Sequence, residues 1–151
     1  MIFLAAELLR YRWPWAKALF TRVFFPLLRD DEKIKNITGA TVFLISATVI
    51  FILFKKIIAV PAVLILSVSD SLAAVVGRTI GRHRFLAKSW EGSGTFFLCT
   101  MLMLCIFVPG LGIFEVLLVA VPVTLVEALA LPVNDNLTIP VSAALLLKVF
   151  L

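Results

Sequence analysis

The chain has 151 residues, of which 62% are hydrophobic, and its formal net charge at pH 7 is +5. Its mean hydropathy is +1.13, whereas soluble domains are only about half apolar. This composition excludes an ordinary water-soluble globule and predicts a polytopic membrane protein with the length of one domain. The modest positive charge does not favour a nucleic-acid partner, but it suits anionic lipid head groups or a nucleotide polyphosphate.

The first 36 residues are predicted to form a partial span followed by an amphipathic helix at the membrane interface. Residues 1–9 are apolar but too short to cross a bilayer, which takes about 20 helical residues. From Arg10 to Arg29, cations and aromatic residues alternate with apolar ones, as in helices that lie in the interface. Residues 37–151 are therefore expected to form the membrane core that carries the function.

Five apolar segments follow, separated by short turns that contain charged residues, proline or glycine. They predict an all-α fold, a polytopic membrane bundle of about five full spans. The predicted spans are Ile37–Phe54, Ile57–Val76, Ser93–Val108, Ile113–Leu131 and Thr138–Leu151.

The basic residues divide unevenly between the two sides of this bundle. Of the 14 lysines and arginines, all but Lys55, Lys56 and Lys148 fall in connections on one side. The positive-inside rule makes that side cytoplasmic. The polar groups that this layout brings to the cytoplasmic face are Asp70, the loop of residues 77–92, Glu127 and Asp135.

Asp70 stands out because it lies inside the apolar segment Ile57–Val76. An ionised side chain in hydrocarbon costs several kcal/mol, roughly 2.5–3.5 on insertion scales, and usually marks function. Regular helical spacing would put Ser67 and Ser71 on the same helix face as Asp70. The alternative is a structural acid paired with an arginine.

The loop of residues 77–92 is basic and rich in glycine. Its cations suit a polyphosphate, and nearby carboxylates suit Mg²⁺, a combination typical of phosphoryl or nucleotidyl transfer. Ser89 is predicted to cap the next helix, whose N-terminus could bind phosphate. Gly77 and Gly81 could instead serve close helix packing, and the cations could serve only as a membrane anchor. His83 is expected to be solvated rather than catalytic.

Four motifs occur together in the core. They are Ser69-Asp70-Ser71-Leu72-Ala73-Ala74, the pair Gly77 and Gly81, Lys88-Ser89-Trp90-Glu91-Gly92-Ser93, and Glu127 with Asp135-Asn136-Leu137-Thr138-Ile139-Pro140. In combination they resemble the CTP-dependent lipid kinase family, which includes dolichol kinase, phytol kinase and CTP-dependent diacylglycerol kinase. Ser69 stands where that family usually has glycine. The resemblance covers about residues 28–151.

The resemblance implies an integral membrane kinase that transfers the γ-phosphate of CTP, or of another nucleotide, to a long-chain lipid alcohol. Polyprenols, phytol-like alcohols and diacylglycerol are the acceptors it suggests. The protein would be a multi-pass protein of the cell (inner) membrane, with its site facing the cytoplasm, and would act alone or as a homo-oligomer. It implies catalytic roles for Asp70, Glu127 and Asp135, with Asp70 and Asp135 also holding Mg²⁺. The implied nucleotide-binding residues are Gly77, Arg78, Gly81, Arg82, Lys88, Ser89, Glu91, Gly92, Asn136 and Thr138.

Two alternatives to a kinase stay open. Phosphatidate cytidylyltransferases are a related family with a similar loop, but they end in a segment rich in glycine and histidine. This chain has Asp135-Asn136-Leu137-Thr138-Ile139-Pro140 at that place, which favours the kinase. The other alternative is a non-catalytic, truncated membrane scaffold, because family members usually carry several more N-terminal spans.

Overall fold

The computed structural model describes residues 39–129 and 133–151. The predicted amphipathic helix, and the predicted boundary between residues 36 and 37, lie outside these residues. The chain divides into two compact units, Met1–Ile45 and Ser46–Leu151. Only residues 39–45 of the first unit are described, and they form the beginning of one helix. The packing and the site below belong to the second unit.

The described residues are mainly helical, with one short hairpin and the connecting turns, which confirms the predicted all-α class. The helices are α1 Gly39–Leu53, α2 Lys56–Leu64, a π-helical segment Ile65–Asp70, α3 Ser71–Thr79, α4 Trp90–Phe107, α5 Ile113–Leu129 and α6 Asp135–Phe150. The elements from Lys56 to Thr79 form one continuous helix of 24 residues. The hairpin pairs β1 Arg84–Phe85 with β2 Lys88–Ser89 in antiparallel register.

Two of the described helices are long and apolar enough to cross a membrane, namely Lys56–Thr79 and Trp90–Phe107. Helix α1 is apolar but has only 15 residues, which at 1.5 Å per residue reach about 22 Å across a hydrocarbon core of about 30 Å. Helices α5 and α6 have 17 and 16 residues. The apolar runs fall where they were predicted, but the expectation of five full spans is not confirmed.

The bundle is apolar on its outer surface as well as in its core. Phe96, Leu104 and Ile139 are fully buried, whereas Ile52 and Val149 are about three-quarters exposed (76% and 75%). Helices that are hydrophobic all round are typical of a membrane environment. The outward-facing side chains thus agree with the composition.

Helices α3 and α4 cross closely at Gly77 and Gly92. A Cβ added to Gly92 would lie 3.2 Å from the Ala73 carbonyl oxygen and 3.4 Å from Gly77 Cα. The loop predicted for residues 77–92 is too long, because α3 continues to Thr79 and α4 begins at Trp90. Both glycines were predicted to lie in that loop, but their missing side chains instead let two helix backbones approach.

Candidate functional site

A short hairpin carries Lys88 into the bundle. The Ala87 N–H donates a hydrogen bond of 3.1 Å to the Ala128 carbonyl, which ties the hairpin to the end of α5. The rings of Phe85 and Trp90 pack with centroids 3.9 Å apart. Leu86, at the tip, has a positive φ of 53°, a conformation that costs a non-glycine residue about 1–2 kcal/mol. These contacts fix the backbone on either side of Lys88.

The Lys88 ammonium lies among three carboxylates from three other elements. Lys88 Nζ is 2.9 Å from Glu127 Oε1, 3.3 Å from Asp135 Oδ2 and 3.9 Å from Asp70 Oδ1. We call these four residues the Lys88 cluster. Glu127 comes from α5, Asp135 from the start of α6 and Asp70 from the end of the π-helical segment. When all four groups are ionised, the cluster has two more negative charges than positive ones.

The pKa of Lys88 reflects these neighbours. Burial lowers the pKa, but the hydrogen bond and charge of Glu127, and the charges of Asp135 and Asp70, outweigh it and raise the pKa above its ordinary 10.5. The stabilisation from this ammonium is therefore fully present below pH 10.5 and is lost only as the pH rises through the raised value. Lys88 stays charged throughout the physiological range.

Glu127 is the most buried carboxylate of the Lys88 cluster. Its side chain is 2% exposed, against 24% for Asp70 and 31% for Asp135. The Ser93 hydroxyl donates a hydrogen bond of 3.1 Å to Glu127 Oε2. No role was predicted for Ser93, although this residue ends the motif that begins at Lys88.

The π-helical segment changes the predicted surroundings of Asp70. Regular helical spacing put Ser67 and Ser71 on its face, but Ile65–Asp70 is π-helical, with a wider turn than the α-helix on which that spacing rests. The hydroxyls of Ser67 and Ser71 donate instead to the Leu64 and Ser67 carbonyls of their own helix. The Asp70 carboxylate lies 3.9 Å from Lys88 Nζ, while both serine hydroxyls bond to backbone carbonyls.

The start of α6 lies three residues earlier than predicted. Asn134 caps it, because its Oδ1 accepts a hydrogen bond of 3.0 Å from the Asn136 N–H. An asparagine before an acidic first turn is a recognised helix-start signal, so the sequence could have shown this cap. Asn136 and Thr138 lie in the same first turn as Asp135.

The predicted glycines lie next to a serine. Ser89 caps α4 as predicted, since its Oγ accepts a hydrogen bond of 3.1 Å from the Gly92 N–H. A Cβ added to Gly77, Gly81 or Gly92 would lie 3.2, 2.7 or 3.1 Å from that same Oγ. The space beside these glycines is occupied by the Ser89 hydroxyl, which favours packing over direct contact with a nucleotide.

The remaining predicted binding residues are Arg78 in α3, Arg82 between α3 and β1, and Glu91 in the first turn of α4. Arg78 and Arg82 are exposed, and neither forms an ion pair with a residue that the structure describes. Glu91 Oε1 lies 3.0 Å from His83 Nδ1. The side chain of His83 is 78% exposed, as predicted for a solvated residue. Glu91 was not predicted to be its partner.

The described residues contain no group of three or more histidine, cysteine, aspartate or glutamate side chains that is arranged to hold a metal ion. The oxygen donors of Asp70 and Asp135 are of the type that Mg²⁺ prefers. However, the ammonium of Lys88 already contacts both carboxylates. In this structure Lys88 thus neutralises the two carboxylates that were predicted to hold Mg²⁺, and that pair stays a prediction.

Comparison with known proteins finds three relatives of this chain. The chain is 34% identical to CTP-dependent diacylglycerol kinase 1 of Schizosaccharomyces pombe over 96 residues, which are 62% of the chain and 44% of that protein. It is 34% identical to phytol kinase of Synechocystis over 106 residues, which are 64% of the chain and 46% of that kinase. It is also 31% identical to an uncharacterized protein of Rickettsia prowazekii over 157 aligned positions, covering 99% of the chain and 77% of that protein.

The chain is similar to members of the CTP-dependent lipid kinase family. The resemblance inferred from the motifs is thereby confirmed. The chain spans less than half the length of the two named kinases. No family model matches it, and no solved structure does. The predicted relation to phosphatidate cytidylyltransferases stays a prediction.

Proposed function

We propose that the protein is an integral membrane kinase that transfers the γ-phosphate of CTP to the hydroxyl of a lipid alcohol. The observation that carries this proposal is the Lys88 cluster, in which one ammonium and three carboxylates from separate elements meet. The two named relatives are a CTP-dependent diacylglycerol kinase and a phytol kinase. Both names describe phosphorylation of a lipid alcohol, which supports the same class of reaction here.

The proposed transfer needs one group that accepts a proton and one that carries positive charge. The acceptor oxygen forms a bond to the γ-phosphorus, the bond to the β–γ bridging oxygen breaks, and CDP leaves. We assign the hydroxyl proton to Asp70, whose carboxylate is partly exposed and lies farthest from Lys88 within the cluster. The Lys88 ammonium would offset the charge of the transferred phosphate.

Two exposed arginines are proposed to bind the nucleotide. Arg78 and Arg82 have exposed guanidinium groups that could bind the triphosphate. Mg²⁺ is proposed from the family resemblance, with Asp70 and Asp135 as ligands. Because Lys88 holds both carboxylates in this structure, no step of the transfer is assigned to a metal. Other nucleoside triphosphates remain alternative donors.

The donor chemistry is tested by following the label from CTP in membranes or detergent. With γ-labelled CTP and a panel of diacylglycerol, phytol and dolichol, we expect label on the lipid and CDP in equal amounts. A cytidylyltransferase would instead transfer the α-label to phosphatidate and release pyrophosphate. Pyrophosphate as the stoichiometric product would overturn the proposal. Absence of both transfer and CTP binding would support the scaffold alternative.

We also propose that the hairpin faces the cytoplasm and that the turn between α1 and α2 faces the other side. The unequal distribution of basic residues supports this orientation. Single cysteines introduced at Arg84 and Lys55, in a background without Cys99 and Cys105, should react with an impermeant reagent from opposite sides. Arg84 and Lys55 are both exposed, so lack of access would not hide the result. Labelling of both from one side would contradict the orientation.

A further inference from the structure

Both carboxylate oxygens of Glu127 are already engaged. Oε1 lies 2.9 Å from Lys88 Nζ, and Oε2 accepts a hydrogen bond of 3.1 Å from the Ser93 hydroxyl. Ser93 itself is 3% exposed and Glu127 is 1% exposed. With a partner on each oxygen and almost no exposed surface, Glu127 is poorly placed to meet a substrate proton, and removing either partner would leave a buried charge poorly compensated.

The other two carboxylates of the Lys88 cluster differ from Glu127 in both distance and exposure. Asp135 and Asp70 lie farther from Lys88 Nζ, at 3.3 and 3.9 Å, and their side chains are 31% and 24% exposed. They can be reached from outside, whereas Glu127 lies behind the ammonium in the packed interior. Asp70 and Asp135 can therefore meet a substrate, whereas Glu127 is placed to hold Lys88.

The contact between Ser93 and Glu127 also determines which oxygen faces the lysine. A carboxylate can rotate and present either oxygen, but the Ser93 hydroxyl donates to Oε2 and so leaves Oε1 for Lys88. The backbone bond from Ala87 to Ala128 lies one residue from each partner of the ion pair. With both backbones fixed in this way, the orientation of the Glu127 side chain sets the position of the ammonium.

We propose that Ser93 and Glu127 form a positioning pair that holds the Lys88 ammonium where the transferred phosphate is bound. This inference rests on the proposed kinase function and deepens it. In this proposal Glu127 positions Lys88 and does not have the catalytic role expected from the sequence. Ser93 gains a role that acts through Glu127 and not through contact with substrate. Asp70 and Asp135 remain the carboxylates that can reach the reacting groups.

The test is Ser93→Ala in the full-length protein, compared with Ser142→Ala as a matched control. Ser142 also lies on a helix, but its hydroxyl donates to the Ile139 carbonyl of that same helix. In Ser93→Ala we expect kcat to fall about tenfold to a hundredfold, because the ammonium is misplaced, with little change in the KM for CTP. Ser93→Thr, which keeps the hydroxyl, should restore most of the rate. Ser142→Ala should behave like the wild type.

A second measurement does not depend on kinase activity. Acylation of lysines by a small amine-reactive reagent, followed by mass spectrometry, reports how firmly each ammonium is held. Ser93→Ala should increase the acylation rate of Lys88 several-fold and leave that of Lys55 unchanged. An unchanged rate at Lys88 would overturn the positioning pair. If the wild type transfers no phosphate from CTP, the proposed function fails, and the acylation rates alone decide whether Ser93 and Glu127 hold Lys88.

Discussion

Replacing Asp70 with asparagine is expected to abolish phosphoryl transfer while leaving the protein folded. The asparagine amide is nearly isosteric with the carboxylate, and the ion pair that it removes is the longest in the Lys88 cluster, at 3.9 Å. Lys88 keeps its closer partners Glu127 and Asp135. Loss of a general base costs about 10²–10⁴ in rate. The variant should remain monodisperse in detergent, with a melting temperature near that of the wild type.

The control for this substitution is Glu115→Gln. Glu115 lies at the opposite end of α5 from Glu127, and its Oε2 accepts a hydrogen bond of 2.6 Å from the Gly112 N–H. Its substitution should leave transfer from γ-labelled CTP unchanged. A folded Asp70→Asn variant with near-normal turnover would exclude Asp70 as the base and shift that role to Asp135. A variant that unfolds would mean that Asp70 has a structural role.

The second large effect is expected from Lys88→Met, which removes the ammonium and keeps most of the apolar stem. Glu127, which is only 2% exposed, would then keep its buried charge without the ammonium that lies 2.9 Å away in the wild type. Breaking a buried ion pair from one side costs about 3–5 kcal/mol. We therefore expect a large fall in melting temperature together with loss of transfer. A residue that only bound nucleotide would lose affinity for CTP and little stability.

Two further variants separate charge from the other contributions of Lys88. Lys88→Arg keeps the positive charge and should stay folded, although its planar group cannot reproduce the ammonium contacts and transfer should be reduced. The double variant Lys88→Met with Glu127→Gln removes both members of the buried pair and should recover part of the stability without activity. A melting temperature of Lys88→Met equal to that of the wild type would show that the cluster does not depend on this lysine.

Local sequence patterns were sufficient for the helices and for the helix cap at Ser89. A long apolar run has one satisfactory conformation in hydrocarbon, because a helix pairs its own backbone groups. The hydroxyl oxygen of a serine before a helix can accept a hydrogen bond from a free N–H two or three residues on. Both rules act over a few residues, so they hold whatever the rest of the chain does. The predicted order of the spans also brought the acids Asp70, Glu127 and Asp135 to the same side of the bundle, and all three contact Lys88.

The sequence did not determine how far each helix runs or which groups meet. Because Gly77 has no side chain, it can either end a helix or let another helix approach closely. The close approach of Gly92 shows that Gly77 serves the contact between α3 and α4. The π-helical segment Ile65–Asp70 likewise departs from the regular spacing that placed Ser67 and Ser71 beside Asp70. In both cases the local pattern is compatible with two conformations, and packing against α4 selects one.

Lys88 is the residue for which the tertiary structure changed the interpretation most. A lysine has a flexible stem of four carbons, so its sequence position does not say whether the ammonium meets a phosphate or a carboxylate. The hydrogen bond from Ala87 to Ala128 brings the hairpin against α5, and this puts Lys88 within 2.9 Å of Glu127. The sequence alone supplied the charges, whereas packing between segments far apart in the chain determined which of them neutralise each other.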